Sequence, residues 1–164
     1  MNTAFADPGH AGPAGGGEEE ARRKRDLDLL ARASRTELED LWNGLDDKPA
    51  HTRLRGPETG LVMVRGRIGG GGAPFNLGEA TVSRASVQLA DGAVGHAYRL
   101  GTDRRAAELA AIIDALARDD GRRAVIADRL LTPLAERLAA EAAGRAEETA
   151  ATKVDFFTMV RGED

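Results

Sequence analysis

Cysteine is absent from the 164 residues, which excludes disulfides, thiolate nucleophiles and any iron-sulfur cluster held by the chain's own sulfur. Histidine is scarce. His10, His51 and His96 lie far apart, and none has zinc-ligand spacing to another donor. No uninterrupted apolar run approaches the ~20 residues of a membrane-spanning helix. The opening MNTAFADPGHAGPAGGGEEE has neither the basic start nor the apolar stretch of a secretory signal, so the expected location is the cytoplasm. Aromatics number only six, and two of them, Phe156 and Phe157, are adjacent near the C-terminus. These absences leave no self-contained catalytic or metal site, and no cofactor held by this chain alone is expected.

What is present fits one domain of ordinary size. The hydrophobic fraction is 41 % and the net charge −4, within the globular range. Charge is unevenly spread: residues 51–105 carry eight basic and four acidic side chains, while the segments on either side are acidic. Such a block suits an anionic substrate or an acidic partner surface, although folding need not keep it together. Residues 1–20 are Gly, Pro, Ala and Glu with little to bury and read as a disordered leader. Residues 21–152 form the expected domain, and 153–164 a C-terminal tail.

Periodicity then divides the chain. Leu27, Leu30, Leu38, Leu41 and Leu45 recur at helical spacing, broken where Ser34 and Glu37 have capping-box spacing. The second helix should end near Gly44. From His51 to Leu100 the period is two, which predicts four strands: HTRLR, TGLVMVRGRI, Gly78 to Ala90, and Val94 to Leu100. In the second strand Val62, Val64 and Ile68 alternate with Leu61, Met63, Arg65 and Arg67, so one face should be core. The third changes phase between Val82 and Ala85, which predicts a β-bulge near Ser83 and Arg84. Asp91-Gly92 is tight-hairpin chemistry. After Gly101 a helix capped by Thr102 or Asp103 carries Ala106, Leu109, Ile112, Ile113 and Leu116 on one stripe. Another runs from about Arg122 to Leu131. Thr132-Pro133 reads as the start of a last, Ala-rich helix reaching Thr152 with little apolar surface of its own. The fold class is α+β, an antiparallel sheet of about four strands flanked by helices.

Three features invite chemistry. The loop Gly69 to Gly72, flanked by Arg65 and Arg67, could cradle an anion, with Gly69 and Gly70 as backbone contacts. It lacks the Gly-Lys-Ser/Thr of a P-loop and joins two strands, so it reads better as a plain inter-strand loop than as an anion contact. His96 could join acid-base chemistry with Glu58, Glu79 or Asp91, but a strand histidine between Val94 and Tyr98 reads better as a packed or interface residue. Arg22 to Arg25 follow three glutamates with no interleaved aromatic, which argues against nucleic-acid binding. The tail stands apart. Phe156, Phe157 and Met159 forfeit roughly 1.5–3 kcal/mol of burial each if left in water, so either this chain's own sheet or a partner covers them.

The residues Glu58-Thr59-Gly60-Leu61, Arg67-x-Gly69-Gly70, Gly78-x-Ala80-Thr81-x-x-Arg84-Ala85-x-Val87-x-Leu89-x-Asp91-Gly92 and Val154-Asp155-Phe156-Phe157-Thr158-Met159-Val160-Arg161-Gly162 together resemble the PhnG family. That is the small G subunit of the bacterial carbon-phosphorus lyase core complex. The likeness runs from about residue 25 to the end, and the closing nonapeptide is its most specific part. The resemblance implies a non-autonomous subunit in phosphonate catabolism, assembled with I, H and J subunits, with I the direct partner and the ATPase-like L protein a further one. ATP is then a substrate of the complex, whose ribose triphosphate moiety passes to an alkylphosphonate as adenine leaves. No catalytic residue carries over to this chain. The tail residues Asp155, Phe156, Phe157, Met159 and Arg161 become the expected partner contacts, and membrane or nucleic acid is not expected as a partner.

Overall fold

The computed structural model describes residues 16–67 and 71–152. Helix α1 (Gly16–Leu30) begins five residues before the expected boundary at Ala21. Glu18 and Glu19 sit in its first turn, where carboxylates meet the positive end of the helix dipole. Helix α2 (Arg35–Asn43) has the capping box the sequence predicts: Ser34 Oγ accepts from the Glu37 amide, and Glu37 Oε2 accepts from the Ser34 amide. It stops at Gly44.

The sheet has three strands, not four, in the order β1-β2-β3, all antiparallel: β1 (His51–Gly66), β2 (Phe75–Leu89) and β3 (Val94–Leu100). The two strands expected before Gly66 are one. Gly56 and Pro57 read as a break, yet pairing to β2 resumes beyond them, from Arg55↔Ser86 to Glu58↔Arg84, with a register shift. Gly56 takes a φ of 55° that a side chain would resist, and Pro57 has no amide hydrogen to leave unpaired. The same pair corrects the bulge placement. β2 pairs with β3 without interruption from Val82 to Gln88, and the extra residues lie opposite, in β1 near Leu54 and Gly56. Val82 and Ser83 are nonetheless both buried, the latter with its hydroxyl donating to the Gly101 carbonyl at 2.8 Å.

One face of the sheet is covered by helix α3 (Arg104–Leu116), whose residues from Ala106 to Leu116 are all buried. Its N-cap is Asp103, accepting from the Ala106 amide at 2.9 Å. Ala85, Val87, Leu89 and Ala97 face it within the core. Gly95 allows the closest approach: a Cβ there would lie 2.0 Å from the Ala111 carbonyl oxygen. The expected row Val94, His96, Tyr98 and Leu100 does share a face, but that face is the open one, with Leu100 79 % exposed. The Asp91-Gly92 turn is present, with Gly92 at φ 92° and Ala93 donating to Asp91 Oδ1.

Helix α4 (Asp120–Ile126) runs through a π-helical segment, Ala127–Leu131, directly into α5 (Thr132–Ala151). Thr132 therefore does not cap a new helix. Pro133 lacks a donor and its ring crowds the carbonyl four residues back. The wider π turn immediately before it relieves that crowding without ending the helix.

Helix α1 is tied down largely by charge. Arg23 makes a two-pronged contact with Asp114 at 2.7 and 3.1 Å, Arg123 grips Asp26, and Arg99 donates to the carbonyls of Leu30 and Ala33. Within α1 itself, Leu30 is the buried apolar residue.

Candidate functional site: an exposed hairpin arm

The sequence-derived site residues separate into two groups. Arg65 and Arg67 are exposed at the far end of the β1/β2 hairpin, where Arg65 is registered with Asn76. Gly69 and Gly70 lie outside the described residues, as do Asp155, Phe156, Phe157, Met159 and Arg161. Among the described residues Arg65 and Arg67 have no carboxylate within salt-bridge distance, unlike Arg53, whose Nε lies 2.6 Å from Glu108. His96 is exposed, hydrogen-bonded through Nδ1 to Ser86 Oγ at 2.9 Å, and is not brought together with Glu58, Glu79 or Asp91. No group of three or more His, Asp or Glu among the described residues could hold a metal, and no helix there is long and apolar enough to cross a membrane.

The hairpin carries a feature that residue-by-residue reading missed. β3 pairs only with Val82–Gln88, so Phe75–Thr81 and their β1 partners extend past the third strand as a two-stranded arm. Six residues of β1, Leu61–Gly66, lie in this arm, a reach of roughly 20 Å at strand rise. The expectation that one face of Leu61–Arg67 is core fails: Leu61 is 63 % exposed, Met63 53 %, Val64 39 % and Leu77 60 %. Apolar side chains lie on both sides, because Leu61 and Val64 differ in parity along the strand. The signal was in the sequence. In Leu61-Val62-Met63-Val64 no position is polar, a pattern suited to a strand covered on both faces rather than one.

An isolated two-stranded ribbon is marginal in water, and an exposed apolar ribbon with free edges is a template for association. Arg65 and Arg67 add positive charge at its end. A second projection is the distal part of α5, exposed from Ala139 to Thr152. Its last buried residue is Leu134, with Leu138 packed at the core margin. The structure thus offers two elements that extend away from the core with surface still to bury.

The body these elements project from is held by internal ion pairs. Burial alone would raise the Glu108 carboxyl, but Arg53 and Arg105 overcome it and hold the group below its ordinary value. Arg35 does the same for Asp103 through a two-pronged contact at 2.7 and 2.8 Å. These carboxylates are engaged by arginines, and neither lies in the arm.

A family model described as phosphonate metabolism protein PhnG matches residues 21–162 of the chain. The alpha-D-ribose 1-methylphosphonate 5-triphosphate synthase subunit PhnG of Rhizobium meliloti (strain 1021) is 60 % identical over 144 residues, 88 % of this chain and 92 % of that protein.

Proposed function

Since this chain belongs to the family of phosphonate metabolism protein PhnG, we propose that it is a non-catalytic subunit of a complex that makes alpha-D-ribose 1-methylphosphonate 5-triphosphate. The observation that carries the assembly role is the arm: a ribbon with apolar residues on both faces and no cover from the described residues of its own chain. In this reading the complex transfers the ribose triphosphate moiety of ATP to an alkylphosphonate with release of adenine. This chain supplies contact surface and no reacting group. The I subunit is the direct partner, H and J complete the core, and the L protein is a further associate. The arm enters an apolar groove with carboxylates at its rim, which meet Arg65 and Arg67. The tail, through Asp155, Phe156, Phe157, Met159 and Arg161, makes a second contact beyond α5.

A second reading places triphosphate on Arg65, Arg67 and the adjoining glycine loop. The absence of carboxylate partners for both arginines among the described residues favours it. Co-expression separates the two. On the assembly reading, deletion of residues 154–164 or polar substitution of the arm abolishes co-purification with the I subunit. Arg67→Ala weakens assembly without affecting ATP binding by the chain. Retained co-purification after both changes refutes the assembly role, and ATP binding lost on Arg67→Ala supports the second reading instead.

A further inference from the structure

At the β3 edge of the sheet, α1 and the turn after it border a cleft of about 410 Å³ that reaches from Ser86 and His96 on the open face to the buried Ala85, Ala97 and Ala110. Leu27 of α1 and Ala31, just past its end, form one wall, and Arg55, Arg84, His96 and Tyr98 the sheet side. Arg99 also lines it. The volume is within the range of small-ligand pockets. Among the described residues, Asp28 is the sole carboxylate lining it.

The three guanidiniums are incompletely neutralised. Arg55 and Arg84 both use Nε to reach one oxygen, Glu58 Oε1, at 3.0 and 2.7 Å. Among the described residues no hydrogen bond engages the terminal Nη atoms of either. Arg99 is half-buried, and its hydrogen-bond partners are the neutral carbonyls of Leu30 and Ala33. Two arginines sharing one carboxylate, beside a third with no anionic partner in contact among the described residues, leave positive charge and unused donors at one cleft. Fork-shaped N–H pairs of this kind match oxyanions. A carboxylate would use fewer of the donors than a tetrahedral group with three oxygens and up to two negative charges.

We propose that this cleft binds the phosphate group of a small organic phosphate, with Arg55 and Arg84 holding the oxyanion and Tyr98, Leu27 and Ala31 packing against its apolar remainder. The oxyanion seats against the free Nη atoms, and the long-range field of Arg99 adds to the attraction. Asp28, on the opposite wall, accepts from a hydroxyl and disfavours ligands with a second anionic end there. This site is distinct from the hairpin arm and does not rest on the assembly role.

The test is an NMR titration of the full chain with phenyl phosphate as probe, with inorganic phosphate and benzoate as comparisons. The expected result is saturable shifts centred on the amides of Ala31, Ser86, His96 and Tyr98. Inorganic phosphate should bind more weakly, and benzoate at least tenfold more weakly. Arg84→Gln, which leaves Arg55 on Glu58, should weaken phenyl phosphate at least tenfold, and Ala31→Trp, which fills the cleft without touching a charge, should abolish binding. Tyr98→Ala, at an exposed position, replaces Ala31→Trp if that variant loses its dispersed spectrum, and should weaken phenyl phosphate but not inorganic phosphate. Non-saturable shifts spread over all arginines, equal affinity for benzoate, or full binding by Arg84→Gln overturns the proposal. Co-purification with the I subunit is read separately, so either role can fail alone.

Discussion

Replacing Leu61, Met63 and Leu77 together by Ser strips the arm of its most exposed apolar side chains and leaves the α3-covered core untouched. Their exposures are 63, 53 and 60 %. Burying a whole side chain of this size is worth about 1.5–3 kcal/mol, so covering the exposed part of each is worth about 1–2 kcal/mol. Three such contacts, discounted for side-chain ordering on binding, come to roughly 2–4 kcal/mol. That corresponds to a loss of about 30-fold to 1,000-fold in affinity. The assay is the Kd of the fluorescently labelled I subunit for the parent chain and for the triple variant, at fixed salt. Stability should hardly change, because exposed positions usually alter it by less than about 0.5 kcal/mol each. A Kd within threefold of the parent refutes the reasoning. So does a large drop in Tm, which would mean that these side chains serve the chain's own core.

Two further outcomes follow from the body of the fold. Gly95→Ala places a Cβ 2.0 Å from the Ala111 carbonyl oxygen and 2.4 Å from the Ala115 amide nitrogen. Because both are helix backbone, α3 must lift from the sheet, and urea melts should show a loss of about 3 kcal/mol; Gly60→Ala, with nothing within 4 Å of its Cβ, should stay within about 0.5 kcal/mol. The carboxylates of Glu37, Asp103 and Glu108 are all held below their ordinary values of 4.5, 3.8 and 4.5 in the fold. Their contribution is therefore complete above those values and is lost as pH falls through the lower folded ones. Urea midpoints should hold between pH 7 and 5 and drop below about pH 4.5, and Glu108→Gln should make that drop shallower.

Local chemistry was readable wherever a few adjacent residues decide the outcome. The Ser34/Glu37 capping box, the Asp103 cap, the Asp91-Gly92 turn and the stripe from Ala106 to Leu116 each depend on spacing alone. The misreadings occurred where a distant partner decides. Gly56-Pro57 resembles a strand break because both residues are common in turns. It became a bulge because β2 continues past it on the other side. Pro133 resembles a helix start because the carbonyl it crowds is normally fixed; the π segment moves that carbonyl. The arm was misassigned for a different reason. Alternation shows which residues share a face, but it cannot show that α3 stops short of Leu61 and Met63. His96 and Tyr98 were placed correctly on one face, yet only the packing of α3 against Gly95 shows that theirs is the outer one. The cleft beside them joins residues from α1, β1, β2 and β3, a combination no local pattern encodes.

The way α1 is fastened has a consequence for how the molecule comes apart. A helix held by apolar burial detaches when the core melts; one held by arginine forks loosens with ionic strength while the core stays intact. Arg23 and Arg123 hold α1 through the carboxylates of Asp114 and Asp26, while Arg99 donates to the carbonyls at its C-terminal end, and the two ion pairs are contacts that salt weakens more than it weakens the α3–sheet layer. α1 is therefore a separately releasable flap on a more durable body. Leu27 belongs to that flap and Ala31 follows it directly, so this wall of the cleft answers to the electrolyte around it rather than to the stability of the fold.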